Sequence, residues 1–98
     1  MNKISIGKKE LNIIKDILKR HVPGYDVYAF GSRVRGKARR TSDLDLVIIT
    51  QKPLDILLMA YLKAAFTESD LTFKVDVLDW STTENNFRKI IEPEMVKI

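Results

Sequence analysis

Asp43 and Asp45 stand two residues apart at the entrance to the apolar run Leu44 to Ile49, and Gly31-Ser32 precedes them by twelve residues. Side chains two apart on a strand point to one face, so both carboxylates would project together. Like charges so placed repel unless a cation lies between them. Oxygen-only ligands on a rigid strand suit Mg²⁺, which is usually held by one or two carboxylates together with substrate phosphates. A third carboxylate, Asp76, lies in the middle of Phe73-Lys74-Val75-Asp76-Val77-Leu78-Asp79, where flanking valines make an unpartnered charge costly. The plainer alternative is a strand residue facing solvent.

Gly31-Ser32 breaks a strand-like stretch, Asp26 to Phe30, at a point where glycine lets the backbone approach a ligand closely. Exposed amides there, with the Ser32 hydroxyl, can bind phosphate oxygens. Gly31 to Lys37 also reads G-x-x-x-x-G-K, one residue short of a P-loop. Ala38 replaces the hydroxyl residue that a P-loop needs for Mg²⁺, and Asp43 and Asp45 would then be left without a role.

Five of the eight residues from Arg33 to Arg40 are Arg or Lys, within a chain of formal net charge +4. Guanidinium groups make bidentate phosphate contacts, so Arg33 and Arg35 can bind a triphosphate. Arg39 and Arg40 read equally well as a solvated basic loop or as contacts to a nucleic-acid backbone, which would weaken with salt. Tyr25, Tyr28 and Trp80 are scattered and read as packing residues, so there is no aromatic stacking platform, and nucleic acid is not expected as a direct ligand. His21, the only histidine, reads as a favourable charge at a helix C-terminus.

These residues must be positioned by a small fold. Ninety-eight residues fit a single domain, 1–98, with one core, and a 45% hydrophobic content argues for a folded chain. No cysteine is present, which rules out disulfides and thiolate metal sites. The N-terminal stretch Met1 to Lys9 lacks the apolar core of a secretion signal, and no run approaches the roughly 20 residues of a membrane span, so a cytoplasmic protein is expected.

The pattern predicts helices alternating with three strands. Lys8 to His21 places Leu11, Ile14, Ile17 and Leu18 at helical spacing, and Pro23-Gly24 ends the segment. A second helix should begin near Pro53 and run to about residue 68, covering the sheet with Leu54, Leu57, Leu58, Tyr61, Leu62 and Ala65. Ser81-Thr82-Thr83-Glu84 fits a capping box opening a last helix that buries Phe87, Ile90 and Ile91, with Pro93 ending it. Asp79, three residues beyond Asp76, faces the other way and reads as a strand-end or capping residue. Ser32 and Asp43 can meet only if the first two strands are antiparallel, while the intervening helix allows a parallel crossover between the second and third. The fold class is therefore α+β (mixed α/β), a short mixed β-sheet with helices packed against it.

Gly31, Ser32, Gly36, Ser42, Asp43, Asp45, Leu46 and Asp76 together resemble the pattern of the minimal nucleotidyltransferases of the DNA polymerase beta superfamily. The resemblance covers roughly residues 26 to 79; Val34, where members commonly carry alanine, is a departure that bears on loop packing. It implies the polymerase-beta-like nucleotidyltransferase fold, with Asp43, Asp45 and Asp76 holding Mg²⁺, two ions in all. Gly31, Ser32, Arg33, Arg35 and Ser42 would hold the nucleoside triphosphate. Stand-alone proteins of this size are similar to MNT-type antitoxins, which transfer AMP from ATP to a tyrosine of a HEPN-family ribonuclease toxin. That resemblance implies a Mg-dependent protein adenylyltransferase whose partner is such a toxin. The alternatives are an antitoxin that acts by binding alone and a small basic nucleic-acid-binding module.

Overall fold

Strand β1 (Val27–Phe30) runs antiparallel to β2 (Leu44–Ile48), which lies parallel to β3 (Val75–Asp79). The computed structural model describes residues 4–98; Met1 to Lys3, where the stretch read for a secretion signal begins, lie outside it. The antiparallel and parallel pairings are those the convergence of Ser32, Asp43 and Asp76 requires. A fourth strand, β4 (Val96–Lys97), adds to the free edge of β1 and gives the order β3-β2-β1-β4. Two residues carry too little alternation to be read as a strand from sequence.

Helix α1 (Lys8–His21) has the predicted bounds, and Lys19, Arg20 and His21 in its last turn complement the helix dipole. Helix α2 (Ile56–Thr67) starts later than the Pro53 signal suggests. Asp55 is its N-cap, accepting hydrogen bonds from the amides of Leu57 and Leu58 at 2.8 and 3.2 Å. A carboxylate that satisfies two unpaired amides outweighs the mild preference of proline for a first turn. The buried stripe of α2 is also narrower than predicted: Leu62 and Phe66 are buried, whereas Ile56, Leu57 and Tyr61 are exposed.

The two sheet faces carry different loads. Ala29, Leu44, Leu46, Ile48 and Val77 pack beneath α1 and α2 with Ile14, Leu18, Leu62 and Phe66. Phe30 and Val47 occupy the opposite face, against Ile91 of α3 (Asn85–Ile91). Phe30 meets Phe87 edge to face, ring centroids 6.0 Å apart, which helps dock α3. By strand alternation, Asp45 shares this second face with Val47, and Asp76 shares it with Leu78.

The predicted capping box does not form. Trp80–Thr82 is a short 3₁₀ turn, and α3 begins at Asn85 after an N-cap, Glu84, that makes no side-chain capping bond. The hydroxyls of Thr82 and Thr83 donate instead to the Asp79 carbonyl. Of the three residues expected to be buried, only Ile91 is; Phe87 is 40% exposed and Ile90 62%. Pro93 lies in the 3₁₀ turn Glu92–Glu94 that follows α3, as the proline signal suggests.

Asp79 is the strand-end residue expected, and it fastens the end of the sheet away from Gly31. Its carboxylate accepts from the Thr50 hydroxyl, the Leu54 amide at 2.7 Å, and the Ser81 amide and hydroxyl. Burial pushes its pKa up, but these hydrogen bonds outweigh burial and hold it below the ordinary carboxylate value. A depressed folded pKa contributes stability above the unfolded pKa, which is lost as pH falls through the folded value. Asp79→Asn is therefore expected to cost about 1 kcal/mol at pH 7, allowing for partial exposure. In paired urea titrations the deficit should shrink as pH falls below about 4. A deficit that persists unchanged at low pH would count against the carboxylate as its source.

Candidate active site

Asp45 and Asp76 are direct register partners on the parallel strands β2 and β3, and Asp45 also faces Phe30 across the antiparallel pair. Asp43 lies exposed just before β2. The site therefore sits at one end of the sheet, where β1 finishes and β2 and β3 begin. Burial raises the Asp45 pKa above its ordinary value, and the charges of Asp76, Asp43 and Glu94 raise it further, against the lowering effect of Arg35. Three carboxylates held near one another at such a cost suit a divalent cation. Among the described residues, no three carboxylate, thiol or imidazole groups converge closely enough to form a ready-made metal site. The Lys74 ammonium lies 3.3 Å from Asp76, whose side chain is 44% exposed.

Gly31 follows β1 with a φ of +84°, a region other residues rarely adopt. The backbone angle calls for glycine, and a Cβ here would also push the Asp45 carboxylate aside. The chain then winds through a turn in which the amides of Val34 and Arg35 donate to the Gly31 carbonyl at 3.1 and 3.2 Å. Val34, the departure from the family pattern, is accommodated as part of the core. Ser42 organises the far side of this loop, its hydroxyl oxygen accepting from the Arg39 amide at 2.8 Å.

Arg33 and Arg35 have different fates. Arg33 is 5% exposed, and its guanidinium donates to the carbonyls of Ser5 at 2.7 Å, Ser42 at 2.9 Å and Arg40 at 3.0 Å. It also stacks 4.0 Å above the Phe73 ring. Burial lowers its pKa, with partial relief from the charges of Asp43 and Glu10. Its guanidinium is engaged chiefly with backbone carbonyls, so Arg33 braces the loop in this structure. Arg35 remains half exposed, with Nη1 3.6 Å from the Glu94 carboxylate.

Two features of the site were not predicted. Beside the carboxylates lies a cleft of about 850 Å³ lined by Phe30, Phe87, Asp45, Asp76, Lys63 and Lys74. Glu94 reaches in from the turn after α3, and its Oε2 accepts from the Gly31 amide at 2.6 Å. Neither carries a sequence signal, since Glu94 is 63 residues from Gly31.

A mixed sheet that sets aspartates in register on adjacent strands, beside a glycine-serine turn, defines a nucleotidyl-transfer architecture. The family model for the nucleotidyltransferase domain matches residues 11–98, and the chain belongs to that family. It is 55% identical over 95 residues to a Haemophilus influenzae protein named "Probable protein adenylyltransferase MntA", covering 97% of this chain and 83% of that one. Its fold is similar to that of the MntA-HpeT toxin-antitoxin complex, with a TM-score of 0.72 at 22% identity over 90% of this chain and 70% of that one. A complex of tri-AMPylated Shewanella oneidensis HEPN toxin with MNT antitoxin is also similar, with a TM-score of 0.65 at 20% identity over 91% of this chain and 70% of that one. Among the described residues, no helix is long and apolar enough to cross a membrane.

Proposed function

We propose that this chain transfers AMP from ATP to a hydroxyl, a tyrosine of a HEPN-family toxin, and acts as the antitoxin of that pair. The observation that carries the reading is the register of Asp45 with Asp76 beside the Gly31 turn. The 55% identity to the Haemophilus influenzae protein supports adenylyl transfer in particular.

Asp43, Asp45 and Asp76 would hold Mg²⁺, two ions in the form proposed. When bound, Mg²⁺ offsets the charge of the triphosphate and favours ionisation of the acceptor hydroxyl. The Gly31 amide and Ser32 hydroxyl hold the phosphates that depart, and Arg35 offsets their charge. Ser42 would help hold the nucleotide with its O–H, while its hydroxyl oxygen keeps the loop closed by accepting from the Arg39 amide. The cleft lined by Phe30 and Phe87 is within the size range of small-ligand sites and opens beside the carboxylates. In the transfer, the acceptor oxygen bonds to the α-phosphorus, the bond to the β-phosphate bridge breaks, and pyrophosphate leaves. The hydroxyl proton is released to solvent near Asp76.

The test incubates the chain with ATP labelled at the α-phosphate, Mg²⁺ and the co-purified toxin, alongside Asp43→Asn. Label on the toxin, lost in the variant, is expected. Full neutralisation of the toxin by Asp43→Asn without label would instead identify an antitoxin acting by binding alone.

A further inference from the structure

Glu94 is a carboxylate beside the site that the transfer reaction does not use. Its Oε2 takes the Gly31 amide at 2.6 Å, a charge-assisted hydrogen bond, and its Oε1 lies 3.6 Å from Arg35 Nη1. Those are the donor and the cation available to an incoming phosphate. Glu94 is also well shielded, its side chain only 20% exposed, which strengthens the contact relative to a surface ion pair.

The segment that carries Glu94 is short and lies at the sheet edge, anchored by Met95, Val96 and Ile98 against the core and by the Ile98 amide on the Val27 carbonyl at 3.0 Å. Glu94 is the last residue of a three-residue 3₁₀ turn, and the following strand makes only two register pairs, Lys97 with Tyr28 and Val96 with Ala29. Short elements of this kind open at low free energy compared with the core. The same carboxylate adds a negative charge next to Asp45, where three aspartates already oppose the entry of an anion.

We propose that Glu94 is a tethered anion seated in the phosphate position, and that it sets the affinity for nucleotide by competing for the Gly31 amide and Arg35. The inference rests on the nucleotidyl-transfer reading for the identity of the ligand, but the seat itself is defined by the contacts of Glu94. A competitor seated nine-tenths of the time reduces apparent affinity about tenfold, because only the remaining fraction is competent to bind. Entry of the triphosphate requires the Glu94 side chain to leave, and release of pyrophosphate is assisted by its return.

The experiment measures equilibrium binding of three probes, ATP, inorganic tripolyphosphate and adenosine, to the parent chain, Glu94→Gln and Glu94→Ala in Mg²⁺ buffer. Both variants should bind ATP and tripolyphosphate about tenfold more tightly than the parent, with adenosine unchanged. Unchanged or weaker binding of both phosphate probes in the near-isosteric Glu94→Gln, with its melting temperature preserved, overturns the proposal and makes Glu94 a supporting residue. Tightening seen for tripolyphosphate while no protein binds ATP would keep the anion seat and overturn the nucleotide reading.

Discussion

Asp45→Asn is expected to lower AMP transfer about a thousand-fold, the scale of losing a principal electrostatic group at a reacting phosphate. The same change should raise the melting temperature in chelator-containing buffer. Asp45 is the point on which the site converges: register partner of Asp76, neighbour of Gly31, and held above its ordinary pKa by burial and by neighbouring carboxylates. A carboxylate with a raised folded pKa opposes folding at every pH where it is ionised, and this burden disappears as pH falls through the raised value. The amide has a similar shape and no charge, so it removes the repulsion together with the metal-binding capacity proposed for Asp45. Calorimetry and the label-transfer assay on one preparation test both halves. Activity within tenfold of the parent, or a lower melting temperature, would show that the repulsion inferred at Asp45 is not the governing term.

Arg33→Ala is expected to destabilise the chain by about 3 kcal/mol or more, since truncation strands several carbonyls and leaves a void over Phe73. For a domain of this size that corresponds to a fall in melting temperature on the order of 15 °C. The carbonyls Arg33 joins belong to Ser5, Ser42 and Arg40, so it ties the N-terminal segment to both ends of the basic loop. Arg33→Lys should recover only part of the loss, because an ammonium cannot reproduce the planar fork or the ring contact. Arg35→Ala provides the contrast: its partly exposed pairing with Glu94 should leave the melting temperature close to the parent's. Equal melting temperatures for Arg33→Ala and the parent would refute the bracing role.

Much of the fold is legible in the sequence because local signals agree with the tertiary outcome. The 3.6-residue period of α1 and the β-rich runs ending at Phe30, starting at Leu44 and centred on Asp76 appear at their predicted places. The misreadings share a cause. Pro53 and Ser81 to Glu84 are each compatible with two local structures, and competing polar partners select between them, Asp55 at the start of α2 and Asp79 in the turn before α3. Asp79 draws the Leu54 amide and the hydroxyl of Thr50 to itself, for example, and so fixes the connection into α2.

The sequence by itself determined where the aspartates Asp43, Asp45 and Asp76 and the glycine turn fall, and the strand directions needed to bring them to one end of the sheet. These follow from residue type and from the period-2 geometry of a strand, which are local properties. Only the tertiary structure decided which of two neighbouring arginines faces the site and that a glutamate 63 residues away reaches Gly31. Arg33 and Arg35 differ by two positions in an irregular turn, where no period fixes direction. Their roles are set by which carbonyls lie unsatisfied within reach, and that is known only when the chain has folded.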